Sequence, residues 1–310
     1  MTVSAGAPPP LSGRVSWRAA VALAVVACAG FLARHHWPAI ETGTDRLAAA
    51  DRGWLLSGAA ASMATWACAA LAQQGSVLRP LPAGRLVAAQ FAASAANHVL
   101  PAGLGAGAVN LRFLIRCGLP AGRSASALAV KATAGAVIRG VLIVVLALTC
   151  PGVLRLRHVS VVMLALAVVV VVVMAALGSG RLRRVLRAAL AEVRAVHEVP
   201  ARAAALWGGS LAFAVLHASV LIAVTQALDL PLAPARVALA YLAASGAAVL
   251  LPTPGGLGSL DAALAVALAL AGAPGSTAAS AVLGYRLLTG WLPLVPGLVV
   301  LGVLVRRQVL

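Results

Sequence analysis

Apolar residues fall along the chain in long runs, and short basic or Pro/Gly-rich joints separate them. A run of about 17–25 apolar residues is long enough to cross a bilayer as a helix. The runs at 17–37, 54–73, 124–150, 159–177, 203–228 and 276–305 therefore predict six full spans. The run at 159–177 is rich in Val, yet it reads as helix, because lipid offers backbone groups no partner outside their own segment. Arg14 and Arg18 flank the first run as they would a secretory leader, but further spans follow at once, so it reads as a retained helix. Residues 1–13, rich in Pro, Gly, Ser and Ala, predict a disordered tail ahead of one membrane domain over 14–310.

Two apolar stretches break where a full span would continue. Residues 85–99 end in Asn97-His98 and run into Leu100-Pro101-Ala102-Gly103-Leu104-Gly105; a second short piece, 108–117, follows. Residues 236–251 run into Leu251-Pro252-Thr253-Pro254-Gly255-Gly256-Leu257-Gly258, and 259–272 follow. Such breaks are tolerated at membrane depth only inside protein or a wet cavity, so both predict re-entrant helical hairpins. The expected fold is all-α and integral to the membrane, with about six full spans and two broken hairpins.

The hairpins align with each other. His98–Gly105 lies over Val249–Gly256 at an offset of 151 residues, and Gly118-Leu119-Pro120 lies over Gly272-Ala273-Pro274 at 154. The candidate repeat halves are about 85–150 and 236–305. Three spans, 124–150, 159–177 and 203–228, separate the first hairpin from the second, so the repeat would be inverted, the plan of alternating-access transporters with a substrate site near the midplane.

Composition agrees with the pattern. Hydrophobic residues make up 62% and charged residues 10% of 310 residues, and mean hydropathy is +1.00. A soluble domain of this length has no interior large enough for so much apolar surface. Net charge is +17, carried by Arg throughout except at Lys131. The basic residues cluster between apolar runs, which makes them topology signals and anionic-lipid contacts rather than a nucleic-acid surface. Basic ends at 14–18, 79–85, 112–123, 181–202 and 306–307 place both termini in the cytoplasm, with a polar loop at 38–53 on the other side and an interfacial helix at 181–198 on the cytoplasmic surface. Cys28, Cys68, Cys117 and Cys150 show no CxxC spacing, and neither a metal, a cofactor nor a disulfide framework is expected.

Charge inside the membrane costs about 2.5–3.5 kcal/mol per residue on insertion scales, so each such residue is a candidate. They are Lys131, Arg139, Asp261 and Arg286, with Arg112 near an interface. Asp261 is the acid among them, and its partner is Lys131, Arg139 or Arg286; the pair either binds substrate or glues helices. Asp261 also stands where an acid caps a helix. The glycine loops around 103–107 and 254–258 offer backbone N–H groups to a phosphate or simply let helices approach closely. His98, beside Asn97, binds a lipid phosphate or caps a helix, and His217 reads as a packed, hydrogen-bonded residue. Pro293, Pro296 and Gly297 predict kinks in the last span.

These residues carry a family resemblance. Asn97, the Pro101–Gly103 stretch and Arg112, then Arg139, then Pro252-Thr253-Pro254-Gly255-Gly256-Leu257-Gly258 with Asp261, Arg286 and Trp291, resemble the lysylphosphatidylglycerol synthase transmembrane-region family over about 85–305. The chain departs from it at Gly107-Ala108, where many members carry an acid, and at Asp261, where Glu is common. The resemblance implies a stand-alone flippase-like protein of the bacterial cytoplasmic membrane, not a synthase, that moves a phospholipid or aminoacylated phospholipid between leaflets. Its expected partners are membrane phospholipid, a second copy or a lipid-synthesis protein. A secondary transporter of a non-lipid solute, or an accessory protein of polyprenyl-phosphate or glycolipid synthesis, is the alternative.

Overall fold

The computed structural model describes residues 37–99, 104–149, 194–248 and 258–306. Among them every regular element is helical. In chain order these are α1 (Trp37–Ala48), α2 (Arg52–Gly75), α3 (Ala83–Val99), α4 (Leu104–Arg116), α5 (Ala121–Thr149), α6 (Pro200–Ala227), α7 (Pro234–Ala248), α8 (Ser259–Leu270), α9 (Gly275–Arg286), a π-helical turn (Leu287–Trp291) and α10 (Leu292–Arg306). Four stretches are long and apolar enough to cross a membrane: α2, α5, α6 and the continuous Gly275–Leu304. The protein is an all-α, multi-pass integral membrane protein. The spans expected at 17–37 and 159–177, the tail at 1–13, and all of the 181–198 helix except residues 194–198 lie outside the described residues.

Small residues set how closely the spans approach. α2 and α6 run antiparallel and almost touch. A methyl added at Gly75 would stand 2.2 Å from the Leu206 nitrogen, and one at Gly209 would stand 2.6 Å from the Ala72 nitrogen. Without a hydrophobic force between helices in lipid, such backbone proximity supplies the packing attraction. The ends are pinned by polar bonds: Asp51 N–H to the Ala227 carbonyl at 3.1 Å, and Arg202 Nη1 to the Gln74 carbonyl at 3.2 Å. α5 instead turns Val141, Val144 and Leu148 outward, as a lipid-facing helix does.

The apolar core is divided between the hairpins. Phe113, Leu114, Leu86 and Ala89 fill the α3–α4 hairpin, while Leu221, Val224, Leu242, Leu264 and Leu268 join α6 to the α7–α8 hairpin. The two hairpins end in the same turn. After α4, Gly118 N–H donates to the Ile115 carbonyl and Leu119 N–H to the Leu114 carbonyl; after α8, Gly272 donates to Ala269 and Ala273 to Leu268. These are the paired bonds of a Schellman motif. Gly118 at φ 86° and Gly272 at φ 109° supply its left-handed residue. Pro120 and Pro274 then open the following long helix, their carbonyls accepting from Ser124 and Ala278, each at 2.9 Å. Every matched residue in this series is 154 positions from its counterpart.

One expectation needs correction, and one further distortion was not expected. The segment 38–53 is not a plain polar loop: residues 37–48 form α1, which packs on α9, with Gly43 against Ser280 and Leu283 and with Leu47 against Gly284. Gly43 and Leu47 are four residues apart and share a face, which the mixed charge of this segment concealed. The irregularity in the last span is the π turn at Leu287–Trp291, ahead of the prolines. Pro293 lacks the N–H that the Thr289 carbonyl would receive in an α-helix, so the wider turn directly before it relieves the clash.

Candidate functional site

The C-terminal hairpin delivers its acid on the first turn of α8. Asp261 Oδ2 accepts from the Gly258 N–H at 2.9 Å, closing the start of the helix, with Gly258 at φ 86°. The other carboxylate oxygen accepts from Arg286 Nε in an ion pair whose side chains are 28% and 10% exposed, respectively. Of the partners open to Asp261, the structure selects Arg286. Arg286 closes α9 directly before the π turn, a distortion common at functional sites. The N-terminal end of α8 adds its own positive field to the carboxylate.

The N-terminal hairpin handles its charge differently. Lys131, on α5, donates to Gln73 Oε1 of α2 at 3.3 Å and to Gln90 Oε1 of α3 at 3.2 Å. Gln90 passes the chain on, its Nε2 donating to Asn110 Oδ1 of α4 at 2.8 Å, and Asn110 donates to the Ala106 carbonyl at 2.9 Å. Gln73 Nε2 donates to Ser76 Oγ at 3.2 Å. Gln73, Gln90 and Asn110 are buried. Lys131 is thus solvated by amides, and among the described residues no carboxylate pairs with it.

A third grouping lies between α5, α6, α7 and α9. His217 Nδ1 is 3.1 Å from the Tyr285 hydroxyl. The His217 ring is stacked over Tyr241 with centroids 6.0 Å apart, and Phe213 meets it edge-on at 4.6 Å. Arg139 faces Tyr241, and its buried Nε has no hydrogen-bond partner. Arg139 therefore joins the aromatic cluster and not Asp261.

The first hairpin meets the last span beside the π turn. His98 Nδ1 contacts the Ser94 carbonyl at 2.9 Å, and its Nε2 lies 3.4 Å from where a methyl on Gly290 would stand. Ser62 Oγ donates to the Leu288 carbonyl at 2.9 Å. Asn97 Oδ1 is buried without a hydrogen-bond partner. Gly105 crosses so near that a methyl there would sit 2.1 Å from the Ala96 carbonyl oxygen. Arg112 is exposed on α4, apart from all three groupings. Pro101, Gly103, Pro252, Pro254, Gly255 and Gly256 lie outside the described residues.

Among the described residues no group of His, Cys, Asp and Glu is placed to hold a metal ion, and Cys68 and Cys117 are free thiols. Cys117, in the turn after α4, has its thiol pushed up by burial, against the opposing pull of Arg79 and Arg85. The residues that sequence reasoning missed are Gln73, Gln90, Asn110, Tyr241 and Tyr285. The 151-residue offset carried a signal for some of them: it places Gln90 on Tyr241 and Asn110 on Asp261, while the 154-residue offset places Lys131 on Tyr285, next to Arg286.

A family model described as the lysylphosphatidylglycerol synthase TM region matches residues 15–297. The chain belongs to this family. Membership gives it a function related to membrane lipids, of the flippase-like kind, and aligns it with the membrane part of the synthases rather than the catalytic part. No curated protein matches the chain.

Proposed function

We propose that this member of the lysylphosphatidylglycerol synthase TM-region family is a lipid translocase. It moves a phospholipid or aminoacylated phospholipid between the leaflets of the bacterial cytoplasmic membrane, with both termini in the cytoplasm. The observation that carries this reading is the pair of hairpins ending in identical Schellman turns, each followed by a long helix that brings a cation to its own hairpin. Lys131 reaches Gln90 of the first hairpin, and Arg286 reaches Asp261 of the second. An inverted repeat of this form lets two halves open in turn around a midplane site.

In this reading the amide-solvated Lys131 receives the headgroup phosphate, since an ammonium held only by neutral oxygens keeps its full charge for an anion. Arg286 is the second phosphate donor, and Asp261 balances it or takes a cationic headgroup. Asn97 and His98 line the passage where the first hairpin meets the π turn, Arg139 borders it, and Arg112 collects anionic lipid at the interface. The chain does this as a transporter, without catalysis of its own.

A leaflet assay on purified protein in liposomes tests the proposal, using headgroup-labelled phosphatidylglycerol, its lysyl ester and a zwitterionic control. Headgroup-selective movement should fall to the protein-free rate in Arg286→Ala. Movement of no lipid by folded wild type, or equal movement by wild type and Arg286→Ala, refutes it.

A further inference from the structure

At the end of the bundle where α2 begins and α6 ends, remote from Lys131, a cavity of about 320 Å³ opens between α1, the α6–α7 turn and the start of α9. Its walls include Arg46, Asp229, Thr277 and Ser280. That volume is at the small end of ligand pockets, on the scale of a lipid headgroup. Arg46 Nη1 is buried there and has no hydrogen-bond partner. A buried guanidinium nitrogen left without an acceptor is costly unless something supplies one. Asp229, in the turn after α6, is exposed at the rim and adopts φ 51°, a left-handed conformation uncommon outside Gly. Arg46 and Asp229 form no ion pair with each other. Among the described residues neither Arg46 nor Asp229 has an ion-pair partner, so the cavity carries a cation inside and an anion at its mouth.

We propose that this cavity binds a zwitterionic headgroup, a phosphate with an ammonium group a few bonds away, at the non-cytoplasmic face. The phosphate sits on Arg46, with the Thr277 and Ser280 hydroxyls on the same wall, and the ammonium reaches Asp229. The order of charges matches a lipid lying in a leaflet: its phosphate is the deeper group and its amine points to water. The cavity would then be the receiving site for lipid delivered from the midplane, so its place in transport rests on the translocase reading, while binding does not.

The test is lipid retention by the full-length protein, read by native mass spectrometry. Phosphatidylethanolamine carries both charges, phosphatidylglycerol carries the phosphate alone, and soluble glycerophosphoethanolamine is the competitor. Wild type should retain phosphatidylethanolamine about threefold better than phosphatidylglycerol, the scale of one exposed ion pair. Asp229→Asn should erase that preference and keep phosphatidylglycerol. Arg46→Gln should lose both lipids by about tenfold or more, as expected for a charge-assisted bond, and Arg46→Lys should recover part of the loss with an unchanged melting temperature. Equal retention by wild type, Asp229→Asn and Arg46→Gln overturns the site. Displacement by glycerophosphoethanolamine at lipid-equivalent concentration overturns its assignment to lipid. Arg286→Ala separates the two proposals: retention in that variant, with transport unaltered from wild type, leaves this site standing and the midplane mechanism refuted.

Discussion

In the N-terminal hairpin the membrane-embedded charge is Lys131, held by the side-chain oxygens of Gln73 and Gln90. In the C-terminal hairpin it is Arg286, held by the carboxylate of Asp261. The backbones that present them are close counterparts, with helices of 17, 13 and 29 residues against 15, 12 and 30. One scaffold thus carries an open cation and a closed ion pair. The amide cage lowers the cost of burying Lys131 without cancelling its charge, whereas the carboxylate cancels most of the field of Arg286. In the proposed function, an anionic headgroup would meet a cation without a carboxylate partner in one half. In the other it would have to compete with Asp261, or bring a cation of its own to take the carboxylate.

The sharpest way to break this contrast is to delete each cation. Arg286→Ala strands Asp261 as a lone carboxylate, and breaking a buried pair costs about 3–5 kcal/mol. The Asp261 side chain is 28% exposed, which places the expected loss at the lower end of that range. The double change Asp261→Asn with Arg286→Gln should recover most of that stability while transport stays at background. Lys131→Met removes two charge-assisted bonds but also relieves the cost of burying the ammonium, and it strands no opposite charge, so its net effect on stability should be smaller, about 1 kcal/mol. Thermal unfolding in detergent reads both. Equal losses for Arg286→Ala and Lys131→Met would mean that the two halves are not electrostatically distinct.

A smaller effect is expected from converting one half toward the other. Gln90→Glu places a carboxylate where Gln90 Oε1 now sits 3.2 Å from Lys131. That closes the open cation into an ion pair like the one at Arg286, at the expense of the Gln90–Asn110 bond. Transport of phosphatidylglycerol should fall about tenfold, the effect of roughly 1.4 kcal/mol of competition for the ammonium. An unchanged rate in the liposome assay would remove Lys131 from the phosphate site.

How much of this was legible in the sequence depends on the kind of residue involved. Run length found α2, α5 and α6 to within three residues at each end, because bilayer thickness and internal hydrogen bonding leave few alternatives. The hairpins were marked by their Pro/Gly breaks. Charged residues announced themselves, since each is costly in lipid, but their partners did not: nothing in spacing chose Arg286 over Lys131 or Arg139 for Asp261. That choice is made by α8 and α9 packing side by side after the Gly272 turn. Gln73, Gln90 and Asn110 were invisible for a different reason. A neutral amide in an apolar helix costs less than a charge, and its role is fixed only by partners on other helices. α1 was obscured because Gly43 and Leu47, which meet α9, stand among Glu41, Thr42, Thr44, Asp45 and Arg46.

The finest test of the correspondence lies in the turns, where sequence and backbone agree most closely. Gly118 and Gly272 both occupy the left-handed position, at φ 86° and 109°. An L side chain there costs roughly 1–2 kcal/mol from the clash of Cβ with the following carbonyl. The surroundings add little in either case. A methyl at Gly118 would meet the tip of Arg79 at 2.8 Å, which is free to swing aside, and one at Gly272 would meet only the end of Leu232 at 3.8 Å. Gly118→Ala and Gly272→Ala should therefore lower stability by the same amount, about 1–2 kcal/mol each. The two turns sit at the ends of different hairpins with separate cores, so the double variant should lose the sum of the two. Matched, additive losses in thermal unfolding would support two copies of one turn that perform one structural task. A loss confined to Gly118→Ala or to Gly272→Ala would make the shared hydrogen-bond pattern a coincidence of two Gly-Xaa-Pro sequences.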